Sequence, residues 1–520
     1  MYKCLILILL LAISESSVAI NYVVDVGGSG DYTRIQDAIN ASQEGDDITV
    51  LEGTYVENLI IDRSITLKSD ENASLEACDS CHPAVKIIAD DVILDGFYIC
   101  NSDGEDCDFG VIEVRAIRVN ILNNNVYNST GYGIYLINTS NNLVSGNHIY
   151  DCRLTGINVI SSQKFVILNN LLERNGKNGI SLDNCELSSV IDNDVRENFE
   201  NGINLYDTKM ARFINNRIYY NYEYGFFVDN CNNNFITGCD VYQNAKNGIT
   251  LYNSSSSNLL LGNNISSCGE NGLQIVRFSE ANVLSGNSLY YNGINGIDIM
   301  GGSSNTISNN NVKNNNVDGI SMRNNSNNNV ISNNIFNGNN REGLHMEKCN
   351  TNIVQDNYAY SNKNGLVIIS SENNTLTSNY IYNNTYGINL EFIRDTFVSN
   401  NKIYNNTADG IQLTYSKMSK LLNNELYGNK GDGIQLSRAE DNLISGNLIQ
   451  NCSEYGIHLL DFSTDNVIFI NLASNNNMGG IYLYEGHFNG LFGNILINNL
   501  YFNVKDNTGD NVWGGNFYDV

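Results

Sequence analysis

From about residue 121 onward, apolar residues come in bursts of three to five, each bounded by asparagine, glycine or serine. Gly-aliphatic and Gly-Phe pairs set the phase. They run from Gly133, Gly156, Gly179 and Gly202 to Gly480, and the fifteen intervals are all 22, 23 or 24 residues. Each period holds three apolar segments. The first is of GIxL type (Gly156-Ile-Asn-Val, Gly433-Ile-Gln-Leu), the second carries a V/L-I pair (Val166-Ile167, Leu443-Ile444), and the third is of N-x-I type (Asn147-His-Ile, Asn447-Leu-Ile). Alternation over so few residues reads as short strands. None of the segments is long enough for a leucine-rich repeat helix, and the LxxLxLxxN spacing of that class is absent.

Three short strands per 22–24-residue coil predict an all-β chain, a right-handed single-stranded parallel β-helix. Stacked coils place equivalent residues about 4.8 Å apart. Ile134, Ile157, Ile180 and Ile203 should therefore form one inward ladder, and Leu136, Val159, Leu182 and Leu205 another. Turn asparagines such as Asn147, Asn170, Asn193 and Asn216 can hydrogen-bond their counterparts in neighbouring coils, and asparagine and glycine tolerate left-handed backbone angles. Proline would remove a ladder donor, and the chain has only Pro83. The period implies roughly 20 coils and a rod on the order of 95 Å long.

The first 120 residues follow the pattern less closely. Residues 1–19, with Lys3 ahead of an apolar run and Ser17 and Ala19 before a cleavage point, read as a secretory signal; the run is too short to span a membrane. Residues 20–44 read as a strand and an amphipathic helical cap after Asp31 or Thr33, with Ile35, Ala38 and Ile39 on its apolar face. Such a cap covers the open hydrophobic end of a solenoid. The β-helix is then expected over 45–520, irregular to about 120 and regular from about 121 to 497.

The stretch YTRIQDAINASQEGDDITVLEGTYVENLIIDRSITLKS, followed by VILDGFYI, resembles the opening of the NosD-like right-handed β-helix proteins, built of PbH1 repeats. The SGNxI repeats at Ser145–Ile149 and Ser445–Ile449 fit the same resemblance, which covers essentially the whole mature chain. It places the protein among secreted carbohydrate-binding and sugar-hydrolysing β-helices and the surface proteins of methanogens. A fold that hosts lyases, hydrolases, epimerases, adhesins and structural proteins implies little about activity by itself. The copper-site role associated with NosD is not carried over, because the repeats show no copper-binding pattern.

Composition narrows the partners. With 56 acidic against 29 basic residues and a formal charge of -27, nucleic acid and anionic membranes are excluded as electrostatic partners. Neutral or basic ligands, divalent cations and simple solubility remain. Eleven N-x-S/T sequons, from Asn40 to Asn451, permit glycosylation outside the cell.

Several residues are candidates for chemistry. Cys78-Asp-Ser-Cys81-His82 matches the C-x-x-C-H pattern of covalent haem attachment, yet no second axial ligand is evident. Free thiols, or disulfides involving Cys100 and Cys107, are the simpler reading. The cysteines inside the repeats share no phase with one in the adjacent coil and read as buried thiols. Arg323 and Glu347 share an outward phase in successive GIxL strands, with His345 beside Glu347. In a catalytic reading His345 takes a proton, Glu347 donates one or orients the imidazole, and Arg323 neutralises a uronate; a solvent-facing ion pair is the simpler alternative. Asp409 and Asp432 precede their glycines in adjacent coils, where two stacked carboxylates are a candidate calcium site. Tyrosines recur after the N-x-I segment, among them Tyr127, Tyr150, Tyr382, Tyr404 and Tyr427, as candidate glycan contacts or a packed corner ladder. Together these features predict a secreted or cell-surface carbohydrate-binding or structural repeat protein without a transmembrane anchor. Its partners would be extracellular or envelope polysaccharides, or further copies of itself. The alternative is a polysaccharide lyase, epimerase or hydrolase working in a groove along the β-helix.

Overall fold

The computed structural model describes residues 19–70, 73–79, 82–101 and 109–519. The proposed signal segment lies outside them except for Ala19. Among the described residues three parallel sheets run along the coils, one for each segment type, with 20 strands in the GIxL sheet (sheet 1), 22 in the V/L-I sheet (sheet 2) and 21 in the N-x-I sheet (sheet 3). Every strand pairs with its counterpart one coil away. Ile134 lies beside Ile157, then Ile180, then Ile203, and all four are fully buried. Ile167 and Val190 in sheet 2, and Leu172 and Val195 in sheet 3, extend the same core from the other two sides.

The solenoid starts earlier than residue 45. Asn21–Val24 is already its first rung, paired in register with Asp47–Val50, which pairs in turn with Thr66–Ser69. The one helix among the described residues, Ile35–Ala41, buries Ile35, Ala38 and Ile39. Asp31 does not cap it, because its Oδ2 accepts the Val23 N–H at 2.9 Å. Glu57 does that work from the next coil: its two carboxylate oxygens accept the N–H groups of Ile35 and Gln36 at 2.9 and 3.1 Å. A carboxylate at the positive end of the helix satisfies donors that have no partner within it.

Asparagine builds the corners, on three lines rather than one. Along the first, Asn147 Nδ2 donates to Asn170 Oδ1 and Asn170 Nδ2 to Asn193 Oδ1, each at 3.0 Å. Each acceptor oxygen also takes the backbone N–H of the donating residue, and each Nδ2 reaches a carbonyl of the coil behind it, such as Val144 O at 2.9 Å. The second line contains Asn175 and Asn198, and the third Asn234 and Asn258. In all three the amide donates toward the higher-numbered coil. The residue before the first-line asparagine takes a left-handed angle, as at Asn169 and Asn215. Near the last rungs two lines run into carboxylates: Asn511 Nδ2 donates to Asp506 at 3.1 and 3.2 Å, and Asn503 Nδ2 to Asp519 Oδ1 at 2.6 Å.

The repeat-phase cysteines substitute into these lines. Cys239 replaces an asparagine of the first and passes its N–H to Asn263 Oδ1 at 3.0 Å, while Cys152, Cys268 and Cys452 occupy the second. Cys185, Cys231 and Cys349 stand in a serine/threonine column, where Cys231 Sγ accepts the Thr208 N–H at 3.2 Å. All seven are buried free thiols. Burial pushes that of Cys231 up to about 12.

Candidate functional site

Sheet 1 carries the polar chemistry. Its inward residues are the isoleucine and leucine ladders, so the alternate positions face outward. Several of these are nevertheless buried, including Asn158, Thr250, Asp298 and Ser321. They form a band of buried polar groups along the rod. One of its flanking columns is the residue just before each glycine, and here a fourth set of side-chain bonds joins the coils: Asn247 Oδ1 accepts the Asn271 N–H at 2.8 Å, and Asn271 Oδ1 the Asn295 N–H at 3.1 Å.

The structure brings Arg323, His345 and Glu347 onto this face. Arg323 pairs in register with Glu347, and His345 with Ser321. The guanidinium of Arg323 is already engaged elsewhere. Arg323 Nη2 reaches back one coil to Asp298 Oδ1 at 2.7 Å, and Asp298 Oδ2 accepts from Gln274 at 3.1 Å. Arg341, which sequence reasoning passed over, clamps Asp318 with Nε at 3.0 Å and Nη2 at 2.7 Å. Burial holds His345 below the ordinary histidine range; the charges of Asp318 and Glu347 oppose that effect, while those of Arg341 and Arg323 reinforce it. Among the described residues its Nδ1 has no hydrogen-bond partner. Burial raises Glu342, the next residue of the pre-glycine column, whose Oε2 lacks a partner, as does Oδ1 of Asn364 directly alongside. This patch is a network of compensated charges around Asp298 and Asp318.

Asp409 and Asp432 occupy the same pre-glycine column. Asp409 Oδ1 accepts the Asp432 N–H at 2.8 Å, and Asp432 Oδ1 the Tyr455 N–H at 2.9 Å, as an asparagine would. Asp432 Oδ2 also accepts from Gln435 Nε2 at 3.1 Å and lies 2.9 Å from His458 Nδ1. Asp409 is pushed up to about 6, by burial first and by the charge of Asp432 second. Among the described residues no group of three or more His, Cys, Asp or Glu side chains is arranged to hold a metal ion. His458 was not singled out from the sequence. The signal for it was a histidine at the outward position of a GIxL strand, one coil after an Asp-Gly step.

The family model for the "Right handed beta helix region" matches residues 109–265, 201–359 and 256–392, together more than half of the chain. The chain belongs to that family.

A model described as "Periplasmic copper-binding protein (NosD)" matches the later coils of this β-helix, over residues 339–478 and 381–519. A cell surface glycoprotein of Methanothermus fervidus is 31% identical over 128 residues, which is 24% of this chain and 21% of that protein, so only about a fifth of the relative's length is matched. Solved structures with the same fold include the A-module of the mannuronan C-5 epimerase AlgE4 from Azotobacter vinelandii (14% identity, TM-score 0.39, 59% of this chain and 91% of that one). Another is the DFA-IIIase of Arthrobacter chlorophenolicus A6 (14% identity, TM-score 0.44, 60% and 94%). At such identities the likeness is one of fold alone.

Two further candidate features of the β-helix can be placed. Tyr360, Tyr382, Tyr404 and Tyr427 form a continuous stack on sheet 3, with ring centroids 4.9, 4.9 and 4.7 Å apart and planes within 6°. Neighbours cover the faces of its inner rings, so this column shows solvent its edges and hydroxyls rather than flat surfaces for a sugar. The C-x-x-C-H segment lies partly outside the described residues, which exclude Cys81 and Cys107. Within them Cys78 Sγ donates to Asn58 Oδ1 at 2.9 Å, and His82 Nδ1 lies 2.8 Å from Asp79 Oδ2.

Proposed function

We propose that the protein is a structural rod of the cell surface whose sheet 1 face lies against extracellular glycan. The observation that carries this reading is the near-unbroken continuity of the apolar and asparagine ladders from the first rungs to the last. A chain that devotes most of its residues to stacking identical coils builds length and stiffness. The likeness to a cell surface glycoprotein and the match to a periplasmic family model support an exterior location. The net charge of -27 keeps such rods soluble and apart from anionic surfaces. The outward polar band of sheet 1, amide and hydroxyl groups at Asn158, Asn204, Thr250 and Gln274, offers the mixed donors and acceptors that bind sugar hydroxyls. An enzyme built on Arg323, His345 and Glu347 has less support, since Arg323 is already committed to Asp298.

Treating intact cells of the source organism with a membrane-impermeant biotin reagent tests the location. The reading requires the protein to be labelled without lysis; labelling only after lysis would overturn it. A panel of neutral, anionic and amino-bearing glycans, with product analysis on those that bind, separates a binding rod from an enzyme.

A further inference from the structure

The pre-glycine column of sheet 1 needs only an acceptor oxygen, which Asn247 and Asn271 supply without charge. Where aspartate replaces asparagine, the added charge calls for a counter-charge. Asp318 has Arg341, and Asp432 has His458 and Gln435. Asp409 has neither. It is 8% exposed, its Oδ1 is used by the Asp432 N–H, and among the described residues its Oδ2 has no hydrogen-bond partner. Asp432, Glu454 and His458 are the charged and titratable groups that act on it, and the first two repel its charge. Neither Asp409 nor Glu454 forms an ion pair among the described residues, and burial raises Glu454 as well. The outward groups on the neighbouring strands are amides: Gln412 Nε2 donates to Gln435 Oε1 at 2.8 Å, which leaves Gln412 Oε1 as an acceptor for an incoming hydroxyl. Beyond His458, the Lys505 ammonium rests 5.2 Å from the ring centroid of Tyr482, on an aromatic group that also contains Tyr455 and Phe502.

We propose that this face of sheet 1 binds an amino sugar, with the protonated amine on the free Oδ2 of Asp409 and the ring hydroxyls on Gln412 and Gln435. Charge decides against the alternatives. A uronate or sulfated chain would add anions to an uncompensated acid, and a neutral sugar would leave that acid without a counter-charge. A lysine side chain would supply the amine but leave the amides without hydroxyl partners. The inference rests on the reading of the chain as a surface rod in contact with glycan, and it names the ligand class and the coils involved.

The test is calorimetric titration of the full mature chain at neutral pH and low salt with three probes: a glucosamine tetramer, its N-acetylated counterpart and a lysine tripeptide. Saturable binding of the glucosamine tetramer, at least about tenfold tighter than that of the other two, is expected. Asp409→Asn keeps the Oδ1 acceptor and hence the fold, as circular dichroism would verify, and should weaken that binding by about tenfold. Failure of the glucosamine tetramer to bind, equal binding of the N-acetylated or peptide probe, or indifference to D409N would each overturn the proposal. None of these results would change the surface-labelling outcome, so the two readings fail separately.

Discussion

Two columns of the rod do the same mechanical work with different atoms. At the first corner line, Asn357 and its neighbours pass hydrogen bonds from coil to coil as neutral amides. In the pre-glycine column of sheet 1, Asp318, Asp409 and Asp432 accept equivalent backbone N–H groups with carboxylates. Ladder geometry therefore requires an acceptor and is indifferent to charge. Charge appears on the outward face of sheet 1, and each buried carboxylate must find a cation, take up a proton or await a ligand.

The comparison breaks most severely if the neutral column is cut. Asn357 is fully buried; its Nδ2 donates to Ile331 O and Asn379 Oδ1, and its Oδ1 accepts twice from Asn334. Asn357→Ala strands those partners and should cost about 2–4 kcal/mol. Stacked repeats can open locally, so amide exchange of the flanking coils, alongside urea denaturation, is the measurement that locates the loss.

Asp409→Asn should move stability the other way. With the folded pKa near 6 and the ordinary value at 3.8, the folded state binds more protons than the unfolded one within that window, so stability falls as pH rises through it. The variant should match wild type near pH 4 and exceed it at pH 7 by on the order of 2–3 kcal/mol. Denaturation midpoints at the two pH values decide this, and an equal difference at both would contradict the assignment of the charge.

Arg341→Ala removes the cation from Asp318, whose side chain is 1% exposed. Because Arg341 is itself 45% exposed and partly screened, the expected loss is about 1–3 kcal/mol. Adding Asp318→Asn should recover most of it in a double-mutant cycle, since asparagine keeps the acceptor and drops the charge.

The smallest effect belongs to the sulfur substitutions. Cys231→Ser retains an acceptor for the Thr208 N–H and should change stability by less than about 1 kcal/mol. In the native protein, iodoacetamide should alkylate exposed Cys78 and leave the seven repeat-phase thiols intact until the chain unfolds.

The fold was legible because the period is longer than any local motif and repeats with little drift: Gly133 to Gly480 define the phase, and phase decides what stacks on what. The site was legible only as columns. Arg323 and Glu347 do share a register, as their phase required, but a long side chain can turn toward either neighbouring coil, and Arg323 turns back to Asp298 across 25 residues. Asp432 and His458 meet across 26 residues. A pairing rule between a pre-glycine acid and the outward residue of the next coil would have found them, whereas one that compares only equivalent phases does not. The number of asparagine lines was likewise hidden, because cysteine, serine and alanine interrupt all three. The helix was legible after Thr33, but its capping group was not, because it is Glu57, a full coil away.

The asparagine lines also give the rod a polarity. Along each line the amide oxygen faces the lower-numbered coil and one N–H of the amide faces the higher-numbered coil, so the dipoles add head to tail as peptide dipoles do in an α-helix. Each hydrogen bond in such a chain polarises the next, and positive potential gathers toward the last rungs. Two of the lines end there on Asp506 and Asp519, which places anions where that potential is highest. The two ends of the molecule thus differ electrically as well as in shape, so a stack of such rods in a surface layer would have a built-in sense of direction.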